Sequence, residues 1–390
     1  MNPSPSYSAE IDPNLAAAMT GWRRHLHANP ELSLQESATA AFVAARLSEL
    51  GVDFVTGVGG HGIVATISRG QSNRSVGLRA DMDALAVTEL TGVAYASVTP
   101  GVMHACGHDG HTTSLLGAAA LLMRETDWAG TVHLVFQPAE EGYGGARAML
   151  ADGLLHRFPM ERIFGYHNWP GLAAGEVAVH DGAVMAQGAR VEIVLDGHAG
   201  HGAMPHLTRD PVLAAAHVLV ALQSIVSRNV DPMETAVVSM CMIDGGRAEN
   251  QIPQKAVMRG TFRTLKPAVK QLVEESIHRI AHGVAATFGV TAVVGITPGV
   301  AAVVNSPAEA ALAAEAAAES GLAVHRNLRP SMASEDFGVF LQERPGAFVW
   351  IGNGPADGGR ELHNPHYDFN DAILPAAARF LASAAKRALA

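Results

Sequence analysis

The stretch ARVEIVLDG, Ala189–Gly197, decides how this chain is divided. Ala189, Val191, Ile193 and Leu195 alternate with Arg190, Glu192 and Asp196, the period of a strand with one face buried and one wet. The next hundred or so residues supply its partners. DPVLAAAHVLVALQSIVSR, from Asp210, reads as a long helix with Asp at the N-cap and Pro at the first helical position. AVVSMCMIDGG and KAVMRGTFRT read as two strands, PAVKQLVEESIHRIAHGVAATFG as a second helix and TAVVGI as a closing strand. The order β-α-β-β-α-β is that of a ferredoxin-like α+β sandwich, here placed over residues 187–298.

Outward from this segment the texture changes. NLAAAMTGWRRHLHANPELSLQESATAAFVAARLSELG reads as two helices broken at Asn29-Pro30 and stopped by Gly51. The runs VDFVT, GIVATI, SVGLRADMD, TVHLVFQPAEE and RIFGYHNW are strands that end in polar or ionisable groups, and TTSLLGAAALLMRE between them has helical length. Beyond Pro298 come a helix, AEAALAAEAAAESG, a strand, FVWIG, a polar loop and a last helix. Strands alternating with helices give an α/β fold, a mixed, mostly parallel sheet flanked by helices. Residues 1–186 and 299–390 therefore read as one discontinuous α/β domain carrying the α+β insertion.

The totals narrow the function. A chain of 390 residues exceeds one small core, so two domains are the natural division. A net charge of -10 argues against a nucleic-acid partner, which would meet a basic face. MNPSPSYSAEIDPN has no basic and apolar leader pattern, and LLGAAALLM, Leu115–Met123, is too short to span a bilayer, so no membrane role is expected. Two cysteines exclude a disulfide framework, and the cytoplasm is the simplest compartment.

Several motifs mislead. Gly57, Gly59 and Gly62 match G-x-G-x-x-G, but β-branched IVATI comes next where a dinucleotide fold needs a helix, so a glycine-rich hairpin is expected. No lysine follows a glycine, which excludes a P-loop, and no G-x-S-x-G elbow occurs.

MHACGHDGH, Met103–His111, packs a thiol, three imidazoles and a carboxylate into nine residues. Cys106 and His108 are good ligands for zinc and related ions. A structural zinc site would bring cysteine pairs and a redox thiol would bring a resolving partner; neither is present, since Cys241 sits in an apolar strand where packing explains it. A buried small residue is the bland reading of Cys106. Yet Glu140-Glu141 follow the apolar strand TVHLVF, where carboxylates are costly unless solvated, paired or metal-bound. Adjacent carboxylates on an extended chain diverge, so one can bind metal while its neighbour handles protons. Asp83 ends SVGLRA, His167 ends RIFGY and His363 lies in ELHNPHYDF. All lie at or within reach of the carboxyl ends of strands, where open α/β sheets bind ligands. Their convergence points to a polynuclear metal site, and a thiolate with several imidazoles suits zinc, manganese, cobalt or nickel. Asp109 reads as a carboxylate that supports the site or, more plainly, as an N-cap for a helix beginning near His111; His104, His111, His198 and His206 read as supporting or surface groups, and His25 and His27 as part of a surface helix.

RRHLHANPELSLQE, RADMDAL, MHACGHDGH, FQPAEEG, GHAGHGAMPH, ENQIP, GTFRT, SEDF and LHNPHYDFND run in order from Arg23 to Asp371, nearly the whole chain. As a set they resemble the co-catalytic metallopeptidase and aminoacylase superfamily, in the branch of hippurate hydrolases, indole-acetyl-amino-acid hydrolases and N-acyl-amino-acid amidohydrolases. The resemblance implies that Cys106, His108, Glu141, His167 and His363 hold two divalent ions per subunit and that Glu140 is the general base. It implies that the inserted domain is a dimerisation or lid domain of a homodimer, offering His201 to the other subunit's site. Asn250 and Arg263 match positions near the substrate, and Asp83 a carboxylate that orients a ligand. Glu335 and Asp336, in SEDF, match the edge of the site and otherwise read as a helix cap. One departure is Ala86, where proline is usual after DAL.

The implied activity is metal-dependent hydrolysis of N-acyl amino acids to a carboxylate and a free amino acid. A dipeptidase or an N-acetyl-diaminopimelate-type deacetylase is the alternative enzyme. A metal-dependent binding protein would be expected to lack Glu140, which is present.

Overall fold

The computed structural model describes residues 11–390, so most of MNPSPSYSAEIDPN, expected to hold no leader, lies outside the described residues. The chain opens with helices α1 (Pro13–Ala28) and α2 (Ser37–Glu49), separated at the Asn29-Pro30 break. Strands β1 (Asp53–Val58) and β2 (Gly62–Arg69) form the expected glycine-turn hairpin, paired antiparallel. Next come β3 (Ser75–Asp81), α3 (His108–Arg124), β4 (Gly130–Gln137), α4 (Gly145–Ala151), α5 (Leu154–Arg157), β5 (Arg162–Pro170), β6 (Glu176–Val179) and β7 (Ala183–Met185).

The middle of the chain supplies β8 (Gln187–Asp196), β9 (Gly200–His201), α6 (Pro211–Ser224), β10 (Ala236–Gly245), β11 (Gln251–Ile252), β12 (Lys255–Thr264), α7 (Pro267–Thr287) and β13 (Thr291–Pro298). The chain closes with β14 (Val303–Val304), α8 (Pro307–Glu319), β15 (Ala323–Arg326), α9 (Phe337–Glu343), β16 (Gly346–Gly354) and α10 (Leu374–Leu389).

Two compact units result: Met1–Val184 with Val303–Pro330 and Glu335–Ala390, and Met185–Ala302 with Ser331–Ser334. In the first, eight strands run in the order β1-β2-β4-β3-β5-β16-β6-β15. The pairs β3–β4, β3–β5, β5–β16 and β6–β15 are parallel, while β1–β2, β2–β4 and β6–β16 are antiparallel. The apolar runs of β3, β4 and β5 are buried because helices cover the sheet. Gly117 lets α3 close on Met19 of α1 and Ala378 of α10, where any larger residue would collide with both.

In the second unit the sheet order is β10-β12-β8-β13, antiparallel throughout, with α6 and α7 supplying the other layer of one apolar core. Ala189, Val191, Ile193 and Leu195 are buried in it, as their alternation requires. The Asp210 side chain accepts from the Val212 and Leu213 amides at 2.9 and 3.2 Å, so the N-cap forms as read.

The structure corrects two expectations. Cys241 is exposed, because β10 is the edge of its sheet and bulges next to Met240. His27 is buried, for the wet side of α1 is covered by residues around Glu89 and Asp109. The 19 residues Pro211–Asn229 are long and apolar enough to cross a membrane by length and composition, but one side of this helix packs in the core of its own unit, as a core helix does.

Candidate metal centre

The first unit brings its chemistry to the carboxyl ends of β3, β4 and β5 and to the start of α3. Gly107 caps α3 with φ 86°, and a β-carbon there would strike Tyr367 and Asn168. The turn places Cys106 and His108 side by side at the head of the helix. His167 stands near the end of β5 with its Nε2 3.4 Å from the Cys106 Sγ. Beyond β4, Glu141 reaches His363 Nε2 at 3.3 Å and His108 Nε2 at 3.9 Å through one oxygen, Oε1. His363 adopts φ 64° and its amide donates to the Ala105 carbonyl, which ties this late loop to the cysteine turn.

Ligand atoms of Cys106, His108 and His167 lie within 4.8 Å of one another, as do those of Cys106, Glu141 and His363, and of His108, Glu140 and Glu141. Cys106, His108, Glu140 and His167 are buried, whereas the His363 side chain is 54% exposed. His108 Nε2 and Glu141 Oε1 are buried without hydrogen-bond partners, although buried polar atoms are ordinarily satisfied. An orphaned imidazole nitrogen and an orphaned carboxylate oxygen, 3.9 Å apart beside the Cys106 thiol, fit a divalent cation.

The surrounding fields agree. Burial disfavours a cationic His108, but Asp81, Asp83 and Glu141 prevail and raise it to about 10, so the cluster strongly attracts positive charge. Burial and the neighbouring His111 and His108 push His167 well below its usual range, leaving a neutral imidazole. Burial, then the charges of Glu335, Glu141 and Asp336, raise Glu140 well above an ordinary carboxylate. The Asp336 amide donates to Glu140 Oε1 at 3.2 Å.

Support comes from groups the motifs did not single out. Arg79 is fully buried and pairs with Asp81 at 2.7 Å, Glu335 at 2.9 Å and Asp336 at 3.1 Å, while its Nε donates to Gln137 at 2.8 Å. Glu335 and Asp336 are thus anchored at the site's edge, and neither side chain N-caps α9 in the usual way. Asp81 holds His111 Nδ1 at 2.6 Å, and His111 Nε2 accepts the Asn168 amide at 3.0 Å, fixing the chain beside His167. Arg79 and Asp81 share one face of the buried strand β3, where charges demand partners.

Asp83 orients His108 through Nδ1 at 3.3 Å and accepts from Ser33 at 2.6 Å and from the Glu141 amide at 3.0 Å. Asp109 does not cap a helix start; α3 begins at His108, and the buried Asp109 carboxylate binds His27 Nδ1 at 2.8 Å. His104 and His111 are buried rather than on the surface. Glu36, in the loop after α1, accepts from the Leu34 and Ala139 amides at 3.0 and 2.8 Å, immediately before the glutamate pair.

Residues 77–387 match peptidase family M20/M25/M40. The chain belongs to this family. Among M20 relatives it is 41% identical to a hippurate hydrolase of Campylobacter jejuni over 369 residues, covering 94% of this chain and 95% of the relative. It is 38% identical to an N-acetyl-L-cysteine deacetylase of Bacillus subtilis, covering 96% and 89%. A solved M20 structure, the Bacillus subtilis YxeP protein, described as a dinuclear metal binding peptidase, superposes with a TM-score of 0.87 at 35% identity over 97% of this chain and 99% of its own.

The second unit carries the other candidates of this M20 chain. The two-residue strands β9 and β11 pair His201 with Gln251, and the Asn250 carbonyl accepts from the Gly202 amide at 2.7 Å, so His201 and Asn250 share one exposed ribbon. Arg263 lies apart from that ribbon on β12, where its Nη1 donates to Thr261 at 3.0 Å. His198 and His206 are exposed.

Proposed function

We propose that this chain is a metal-dependent amidohydrolase that cleaves N-acyl amino acids to a carboxylate and a free amino acid. The observation that carries the reading is the convergence of Cys106, His108, Glu141, His167 and His363 beside a buried Glu140. Two ligand triads share Cys106, which supports a reading in which Cys106, His108, Glu141, His167 and His363 would hold two ions per subunit. Zinc, manganese, cobalt and nickel all suit this donor set. Bound ions of this kind polarise an amide carbonyl and make water acidic enough to attack at neutral pH.

Glu140 then takes the proton of the attacking water and delivers it to the leaving amide nitrogen. Burial and the neighbouring carboxylates raise its proton affinity, the direction a general base needs if it is to take a proton and hand it on. Asp83 fixes the His108 ring, and Arg79 with Asp336 fixes Glu140. His201 supplies a donor to the oxyanion in a second copy's site, and Asn250 and Arg263 contact substrate.

A homodimer through the second unit is supported by apolar side chains left exposed on it. Val237, Met242 and Ile243 on β10 are 40–56% exposed, and Leu213 and Val220 on α6 are 48% and 71% exposed. An open, apolar edge strand pairs readily with another strand. Two free thiols fit a reducing cytoplasm.

The test is hydrolysis of N-acetyl-, N-benzoyl- and N-indole-acetyl-amino acids alongside simple dipeptides, before and after chelation and with each metal returned. Turnover that survives complete metal removal, or a preference for dipeptides, would count against the reading.

A further inference from the structure

Alternation along β5 puts Gly165, His167 and Trp169 on one face of the sheet. Trp169 meets His167 edge to face, with ring centroids 6.2 Å apart and planes at 81°. Its indole lies flat on Trp350, 3.9 Å away and inclined by only 6°. Trp350 stands opposite His167 in the β5–β16 register and is 3% exposed. Behind it, the buried His180 packs edge-on at 4.7 Å.

Trp169 is therefore held in one orientation by a buried platform, yet it remains only half-buried itself. A rigid, partly wet aromatic surface next to a reactive centre is a recognition surface, because it gains contact area on binding and loses little freedom. The stacked indoles carry no cation to meet the α-carboxylate of an amino acid, only N–H donors, of which that of Trp350 is buried. They do offer offset stacking to a planar ring, so the acyl end of the substrate fits here better than the charged end.

We infer that Trp169 is a specificity-determining residue, the wall on which an aromatic acyl group stacks, so that the enzyme favours aryl-acyl over acetyl amino acids. The inference rests on the amidohydrolase reading for its substrate class. Because Trp169 stands two residues from His167, Trp169→Leu and Trp169→Phe are compared, each with its metal content and melting temperature measured.

With the wild type as reference, kcat/KM is measured for N-benzoyl-, N-indole-acetyl- and N-acetyl-alanine and for N-acetyl-phenylalanine. Trp169→Leu is expected to lose about tenfold or more on the two aryl-acyl substrates, mainly through KM, and to stay within about twofold on N-acetyl-alanine. Trp169→Phe restores most of the loss. Equal losses on acetyl and benzoyl substrates overturn the inference, as does a loss confined to N-acetyl-phenylalanine, which would put the contact on the amine side. Benzoate binding, followed by tryptophan fluorescence quenching, separates this idea from the reaction itself. If the wild type cleaves no N-acyl amino acid the reaction reading fails, while quenching that is present in the wild type and lost in Trp169→Leu still upholds the stack. Quenching unchanged by the substitution overturns it.

Discussion

The Glu36 carboxylate accepts the Ala139 amide at 2.8 Å, across the chain from one loop to another. Ala139 has φ 54°, a left-handed conformation that alanine adopts only when its surroundings compel it. Its carbonyl also accepts from Gly145, so the residue before Glu140 is clamped from both sides. Glu36 is thus a positioning residue for the glutamate pair. Glu36→Ala is expected to lower kcat by about 10²-fold, the usual cost of a misplacement of about 1 Å, with little change in KM. Glu36→Gln keeps an acceptor oxygen and should restore most of the activity. Steady-state kinetics on both variants checks this, and equal losses in the two would remove the clamp from the account.

Cys106 belongs to both ligand triads. Cys106→Ala should therefore reduce the metal bound per chain, as measured by mass spectrometry of the metal-loaded protein, and not only the rate. Metal content that stays at the wild-type value would show that the thiol is a buried spectator.

Glu140 and His201 belong to different units of one chain, and the reading assigns them to a site completed by two copies. Glu140→Ala and His201→Ala homodimers should each lose about 10²-fold or more. Mixed and re-equilibrated, they should regain part of the wild-type rate, since one site per heterodimer then has both residues. Verified heterodimers without any recovery would sink the shared site.

His27 predicts a pH effect on stability. Burial disfavours its charged form, but hydrogen bonds to Asp109 and Glu89 and the charge of Asp109 outweigh this and raise it to about 9, from 6.5. A raised histidine stabilises the fold fully below its unfolded value and ceases to do so as pH climbs through the folded one. The contribution, on the order of a few kcal/mol, should be present at pH 6 and fade between about 6.5 and 9. His27→Gln should flatten that part of the profile. Denaturant titrations of both proteins at pH 6 and pH 9.5 give the comparison, and parallel profiles would refute the assignment.

Both layers of the fold were legible because their periods differ. The alternation of Ala189–Leu195 against the long apolar runs of β3–β5 separates a half-wet sheet from a covered one. That Cys106, His108, Glu141, His167 and His363 would gather was legible, because reactive groups stood at strand ends or in loops within reach of them. Arg79, Asp81 and Glu36 were not, since a charge in a sequence looks solvated until its partners arrive from far along the chain. Arg79 finds Glu335 and Asp336 only when β3 and the start of α9 come together. His27 was misplaced for the same reason: a helical pattern shows which side is polar, not what covers that side.

The parallel pairing of β5 with β16 has a consequence during synthesis. On the ribosome, β5 emerges with an unfilled flank, and its neighbour arrives only after the whole of the second unit and α8 have been made. The interposed unit is one nearly continuous segment and can collapse at once, while the first half-sheet waits with an exposed edge. His363, translated later still, closes the ring of donor atoms last. Nascent chains stalled before that residue should therefore be the ones that chaperones hold.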